Sequence, residues 1–260
     1  MTTMQFDEGA ARRLETTYMA PDIVKQRAVT LKLLALSAGE TVVDIGSGPG
    51  FLCDTIAAQV GPTGKVIGID ISPAMVEAAT KRKTHAWLSY RQGDATAVDL
   101  PDGCADVAVS TQVLEYVADV DRATAEMYRI AKPGGRVLAM ATDWGGTIWH
   151  SSDPARMAVM LRAWEAHCAD PRLPRVLTPK LAANGFKVGD VVAHPIVNMR
   201  LGIDTYSEGI MMFLANFVRR REPSLDVDGW LADLRSLSDQ GRYFFASTRF
   251  IFLATKPQQS

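Results

Sequence analysis

The sequence is poor in the features that mark several protein classes. Three cysteines, Cys53, Cys104 and Cys168, stand far apart among 260 residues, with no Cys-x-x-Cys pair. So sparse and odd a set argues against a disulfide-stapled scaffold and points to a reducing compartment. No apolar run reaches the ~18 residues a membrane span needs. The opening stretch MTTMQFDEGAARRLE lacks the apolar segment of a secretion signal. A cytoplasmic protein is expected. Neither sign of charge is in excess, with 28 basic residues facing 29 acidic ones, so no global field draws the chain to nucleic acid or an anionic membrane. Repeats, low-complexity segments and Pro/Gly/Ser-rich linkers are also missing. One domain spanning residues 1–260 is the simplest organisation.

What is present is an ordinary globular composition, 47% apolar and 22% charged. Residues 8–36 predict two helices broken near Ala20-Pro21, because proline suits the first turn of a new helix. From there the pattern alternates. TVVDIG, KVIGID, WLSYRQGD, ADVAVS and RVLAMAT are predicted strands, separated by helical FLCDTIAAQV, PAMVEAATKR and DVDRATAEMYRIA. Such alternation predicts βαβ units, a parallel sheet and helices on both of its faces. Beyond Asp143 it predicts a helix near 154–168, a short helix stopped by Gly185, a strand in VGDVVAHPI, helices over 204–221 and 226–238, and a strand in YFFASTRFIFLATK.

The stretch TVVDIGSGPGFLCD places Gly46, Gly48 and Gly50 at alternate positions after a run of β-formers. The dinucleotide-binding pattern G-x-G-x-x-G wants its third glycine where Phe51 stands, which counts against NAD. The glycines allow a tight turn and close main-chain approach, and the helix beginning at Phe51 offers free N–H groups. Asp44 before the turn can accept from a ligand ammonium, which suits S-adenosylmethionine. Asp70 ends the second strand, where a carboxylate can take both ribose hydroxyls. Asp94 in GDAT follows the third strand, beside the expected adenine. All three acids fall at carboxyl ends of parallel strands, where open α/β sheets bind ligands.

VVDIGSGPG, VIGIDIS, GDATAVDLPDGCADVAVS and VLEYVADVDRATAEMYRIAKPGGRVL together resemble the successive motifs of class I S-adenosylmethionine-dependent methyltransferases. The nearest subset is similar to quinone-ring C-methyltransferases and arsenite methyltransferases. The resemblance covers residues 40–143 and is only topological afterwards. It implies an α/β, Rossmann-like, doubly wound sheet of seven strands, mostly parallel, with an antiparallel last strand at about 246–255 beside the fifth. A 1–37 helical cap would precede the 40–143 cofactor core, and a 200–241 helical insertion would cover the substrate. The cofactor-binding set it implies is Asp44, Gly46, Ser47, Gly48, Gly50, Asp70, Ile71, Met75, Gly93, Asp94, Ala95, Thr111, Gln112 and Arg27, the last for the methionyl carboxylate.

After the fourth strand the sequence reads STQVLEYV. The D/N-P-P-Y/F of amino-methylating DNA enzymes is absent. Ser110-Thr111-Gln112 cannot replace the hard anionic oxygen of a metal-binding Asp, and Glu115 lacks the second glutamate that arginine methyltransferases pair on this loop. A metal-independent enzyme acting on a small molecule is expected, with no nucleic acid partner; a homodimer is left open.

A base helps only a nucleophile that carries an acidic proton. His150 is the first candidate, seven residues past Asp143 in the loop leaving the fifth strand. Asp143 could bind substrate or cap the turn, and Tyr18 lies in the segment that, in similar enzymes, folds over the sulfonium end. Met211, Met212, Phe213 and Phe217 with Trp144 and Trp149 would form the apolar acceptor wall. Cys53 and Cys168 stand about where arsenite methyltransferases keep thiolates, yet Gln112 occupies the place of another, and soft As(III) wants several. Arsenite methylation is the alternative, and a non-catalytic cofactor-binding regulator is the rival from another class.

Overall fold

The computed structural model describes residues 17–258. The first of the two helices expected over 8–36 falls largely outside them. Strands β1 (Thr41–Ile45), β2 (Lys65–Asp70), β3 (Leu88–Gln92), β4 (Ala105–Thr111), β5 (Ala131–Thr142), β6 (Ile148–Trp149), β7 (Lys187–Asn198) and β8 (Phe245–Thr255) join in one sheet. Helices α1 (Pro21–Leu34), α2 (Phe51–Val60), α3 (Pro73–Arg82), α4 (Val120–Ile130), α5 (Pro154–Glu165), α6 (Pro174–Ala183), α7 (Tyr206–Arg221) and α8 (Val227–Asp239) connect and cover the strands.

The strand order is β3-β2-β1-β4-β5-β8, with β6 and β7 both pairing with β8. Neighbours from β3 to β5 run parallel. β8 runs antiparallel to β5, β6 and β7, so it alone opposes the rest. This matches the expected reversed last strand beside the fifth. The count differs by one: β6 pairs only Ile148 and Trp149 with Ala246 and Phe245. Two residues carry no period-two signal, which is why the sequence does not show them as a strand.

β1 is buried on both faces, as a central parallel strand must be when helices cover both sides. Val43, Ile45, Ile67 and Ile69 pack with Ala123, Met127 and Ile130 of α4 and Leu177 and Leu181 of α6. Val42, Val66, Val107 and Leu138 face the other way, onto Leu52, Ile56 and Val60 of α2. Side-chain caps fix three helix starts near the site. Ser72 accepts from Met75 N ahead of Pro73, Asp119 accepts from Arg122 N, and Asp153 accepts from Arg156 N ahead of Pro154.

A third apolar cluster lies away from the sheet's centre. It joins Trp149 of β6, Met157, Met160 and Trp164 of α5, Met211, Leu214 and Val218 of α7, and Trp230, Leu231 and Leu234 of α8. α7 draws its N-terminal partners from distant parts of the chain. The Asp22 carboxylate accepts from Tyr206 N at 3.1 Å and from Asn198 Nδ2 at 2.8 Å, while Asn198 Oδ1 accepts from Ser207 N at 2.9 Å. α1, β7 and α7 are thereby tied together over the carboxyl edge of the sheet.

Candidate active site

Backbone strain marks the edge where β1, β2 and β4 end. Gly46, Gly48 and Gly50 all take positive φ, of 78°, 52° and 85°, a conformation that costs a side-chain-bearing residue but not glycine. Gly46 also has no room: a Cβ there would come 2.0 Å from Val113 Cγ2. Gln112, just past β4, is one of two non-glycine residues at positive φ among those described, with φ 60°. Its Oε1 accepts from Thr142 Oγ1 at 2.6 Å, whereas its buried Nε2 has no partner. Strain held in place by such contacts is typical of ligand sites.

A cavity of about 740 Å³ opens over this edge. Its wall includes Tyr18, Gly46, Gly48, Asp70, Ile71, Met75, Gly93, Asp94, Ala95 and Gln112. A smaller adjoining recess is lined by Arg27, Asp44, Ser47 and Thr111, with Tyr18, Gly46 and Gln112 shared between the two. Thirteen of the fourteen residues read from the sequence as cofactor-binding therefore converge on one surface. Gly50 is the exception. A Cβ on it would meet Tyr90 Oη at 2.3 Å, so it is glycine for its φ and for packing against β3, and it does not line the cavity.

The acids differ in their surroundings. Asp44 is 1% exposed, and its Oδ1 has no partner while Oδ2 accepts from Cys53 Sγ at 3.2 Å. Burial raises its pKa from 3.8 to about 7. A buried carboxylate with a spare oxygen suits a ligand ammonium, which would both pair with it and stabilise its charge. Asp70 accepts Gly48 N with Oδ2 at 2.8 Å and Ser72 N with Oδ1 at 2.9 Å. Each oxygen keeps a lone pair for a vicinal diol. Asp94 is exposed, its Oδ1 held by Thr96 N and Oγ1 at 2.8 Å. Ile71, 56% exposed, offers an apolar face at the rim. This donor and acceptor set fits an adenosine bearing an amino acid.

Arg27 lies over the Phe51 ring, 5.2 Å from its centroid, and donates to the Tyr18 carbonyl at 3.4 Å. Burial pushes the Tyr18 hydroxyl up to about 12, so this phenol keeps its proton at neutral pH.

The residues proposed for catalysis and for the acceptor wall are only partly brought in. His150 is exposed and not in the cavity wall; its backbone N–H donates to Phe244 carbonyl at 2.9 Å as the loop enters the sheet beside β8. Asp143 turns to Arg175, Nε to Oδ2 2.8 Å and Nη2 to Oδ1 3.1 Å, so it is spent on a bidentate ion pair outside the cavity. Trp149 packs on Trp230 and Phe245, Phe217 on Trp164, and Met211 is fully buried. Trp149 and Met211 belong to the buried core behind the cavity's aromatic wall, with Phe217 and Met212 half-buried against it. Trp144 and Phe213 do line it, together with Ile210, Trp164, Tyr116 and Tyr206.

Cys53 is fully buried in α2, and Cys168 sits in the aromatic cluster 3.3 Å from His167 Nε2. They belong to separate core clusters. Among the described residues no three His, Cys, Asp or Glu are grouped to hold a metal ion, and no helix is long and apolar enough to cross a membrane.

Sequence reasoning missed Arg249 of β8, which lines both the cavity and the recess. The signal was available: Arg249 alternates with Phe245, Ser247 and Ile251 on the buried side of a strand that carries no other charge. A charged residue at such a register position calls for a partner.

Comparison with known proteins agrees with this geometry. Residues 43–139 match the family model described as "Methyltransferase domain". An uncharacterized 37.1 kDa protein in transposon TN4556 of Streptomyces fradiae is 30% identical over 235 residues, covering 88% of this chain and 66% of that one. An arsenite methyltransferase of Halobacterium salinarum is 38% identical over 106 residues, 40% of this chain and 27% of that one. A demethylmenaquinone methyltransferase of Symbiobacterium thermophilum is 35% identical over 106 residues, 39% and 42% of the two. The chain thus spans less than two thirds of the length of these relatives. Phosphoethanolamine N-methyltransferase 2 of Haemonchus contortus, solved with S-adenosyl-L-methionine, shares the fold with a TM-score of 0.65 at 20% identity, covering 98% of this chain and 58% of that one. Strand order, the glycine turn, the placed acids and the family match converge: the chain carries a class I S-adenosylmethionine-dependent methyltransferase domain.

Proposed function

We propose that the chain transfers a methyl group from S-adenosylmethionine to a small, largely apolar molecule without a metal ion. The observation that carries this reading is the continuity of the cavity. One end has the diol-binding Asp70 and the exposed Ile71, and the other is walled by Trp144, Trp164, Tyr206, Ile210 and Phe213. A concave, mostly apolar chamber of that size suits a small ligand rather than a protein or a duplex.

The cofactor brings a methyl group already activated on a sulfonium, so the protein's task is alignment and exclusion of water. Asp44 and Arg27 lie where they would hold an ammonium and a carboxylate, and the glycine turn lets the backbone come close. The aromatic wall sheds water from the acceptor side. Among the described residues, the histidine nearest this wall is His167, stacked on Trp164 at 3.6 Å and driven down to about 4 by burial. Its imidazole stays neutral and its Nδ1 is engaged by the Trp164 carbonyl. The proposal therefore assigns no side-chain base.

The test is turnover of purified full chain with methyl-labelled cofactor and a pool of small phenols, quinols and amines, in the presence of a chelator. Acceptor-dependent release of S-adenosylhomocysteine supports the reading. Tight binding of S-adenosylhomocysteine with no turnover across the pool favours a non-catalytic regulator, and absence of binding ends both. Activity confined to trivalent arsenic with thiol would restore the arsenite alternative, which the separation of Cys53 and Cys168 into different clusters disfavours.

A further inference from the structure

The acceptor chamber has an uneven complement of polar groups. Four residues in its wall carry a buried polar atom without a protein partner: Gln112 Nε2, Trp144 Nε1, Trp164 Nε1 and Arg249 Nε. All four are donors. Of the unpartnered carboxylate oxygens, Asp44 Oδ1 lies in the adjoining recess, whose lining also includes Gln112 and Arg249, and Glu115 Oε2 is buried behind the wall, next in the chain to Tyr116.

Arg249 is the strongest of the four. It is 6% exposed, yet among the described residues no carboxylate forms an ion pair with it. Its direct contacts are neutral: Nη1 donates to Gln26 Oε1, and the guanidinium lies 4.8 Å from the centroid of the Tyr206 ring, while the buried Glu115 carboxyl, raised to about 7 by burial, feels its charge from beyond ion-pair distance. An unpaired buried cation is costly, and a guanidinium recovers most when it meets an oxyanion, by two parallel hydrogen bonds if geometry allows. β8 fixes its place, because Arg249 stands opposite Thr142 at the end of β5, beside the Gln112–Thr142 hydrogen bond.

We propose that the methyl acceptor binds as an oxyanion, a carboxylate or an ionised phenol or enol, with Arg249 as its counter-ion. This rests on the methyltransferase reading and narrows its substrate class. Arg249 then acts as a specificity-determining residue. By holding the ionised form of a phenol or enol, whose proton has already gone to water, it would present the nucleophile without a side-chain base; the new bond to the methyl forms as the S–CH3 bond breaks, and the pair stays with S-adenosylhomocysteine. The exposed His150 lies outside this chamber.

The experiment uses full chain saturated with S-adenosylhomocysteine and two matched probe pairs. One is 1-naphthoate against neutral 1-naphthamide; the other is 4-nitrophenol, titrated below and above its ionisation, against 4-nitroanisole. Wild type should bind the anionic member of at least one pair roughly tenfold or more tighter, and the pair that discriminates identifies the source of the oxygen. Arg249→Met should abolish that preference while keeping S-adenosylhomocysteine affinity, and Arg249→Lys should retain part of it. Equal affinity for charged and neutral probes overturns the proposal. So does an Arg249→Met protein that loses S-adenosylhomocysteine but keeps 5′-methylthioadenosine, which would assign the guanidinium to the cofactor's own carboxylate. A wild-type chain that binds no S-adenosylhomocysteine overturns the methyltransferase reading itself, and this proposal with it.

Discussion

The Asp70 carboxylate accepts the Gly48 main-chain N–H at 2.8 Å, linking the end of β2 to the middle of the glycine turn after β1. The same side chain accepts from Ser72 N at 2.9 Å. One residue thus shapes the turn and faces the cavity that the turn borders. Asp70→Ala should weaken S-adenosylhomocysteine binding roughly tenfold to a hundredfold, the scale of losing hydrogen bonds to a charged group. Calorimetry checks this, and an unchanged affinity would remove Asp70 from the ligand site.

Gly46 is fixed by two independent constraints, its φ of 78° and the 2.0 Å that would separate Val113 Cγ2 from any Cβ at this position. Gly46→Ala should cost about 2–4 kcal/mol, from left-handed strain and from overpacking. Gly46→Ala/Val113→Ala should recover the packing part and leave the φ part. Denaturant melts of both variants test whether the two contributions separate in this way.

Asp44 gives a pH dependence with a definite sign. Its folded pKa, about 7, lies above its ordinary 3.8 because it is buried. The folded state therefore binds more protons between these values, and stability falls as pH rises through that window. A ligand ammonium favours the carboxylate, so S-adenosylhomocysteine should bind more tightly at about pH 8 than at about pH 6, releasing a proton at the lower value. Calorimetry in two buffers of different ionisation enthalpy counts that proton. Asp44→Asn should bind weakly at both pH values and release none.

His150→Ala should leave turnover within about twofold of wild type, because the imidazole is exposed and outside the chamber. Phe213→Ala should instead raise KM several-fold with kcat nearly unchanged, since it removes apolar contact made equally by ground and transition states. Initial rates of S-adenosylhomocysteine release distinguish the two. A large loss of kcat in His150→Ala would put the base back in that loop.

The acceptor wall also rests on the core behind it. Trp230 is fully buried, 5.4 Å from the Trp149 ring centroid in an edge-to-face pair. Trp230→Ala should destabilise the chain by about 3–5 kcal/mol, read as a lowered Tm, and should loosen acceptor binding more than cofactor binding.

Local chemistry made the cofactor end legible in the sequence. Strand alternation, glycines that only a strained turn requires, and acids at strand ends are all short-range patterns. Parallel βαβ order carries each of them to one edge of the sheet, which is why Asp44, Asp70, Asp94 and the Gly46–Gly48 turn can be read from the chain alone. The reversed β8 was legible through the resemblance. The buried register of Arg249 was equally present in its alternation, though a single charge in a strand of neutral residues is easily passed over.

The acceptor end was decided by tertiary structure. No window of sequence shows that Asp22 supplies the hydrogen bonds at the start of α7 from 184 residues away, or that Arg175 withdraws Asp143 from the site. β6 turns Trp149 into the core and leaves His150 outside through two residues of pairing with β8. Phe213 and Phe217 are one turn apart on the same helix, yet Phe213 lines the chamber while Phe217 packs on Trp164. Periodicity reports that a residue is apolar and which neighbours share its helical face; whether that face meets a ligand or another helix depends on elements far along the chain. The fold's local rules therefore set the glycine turn and the strand-end acids from sequence, and long-range packing alone chose the aromatic wall of the cavity.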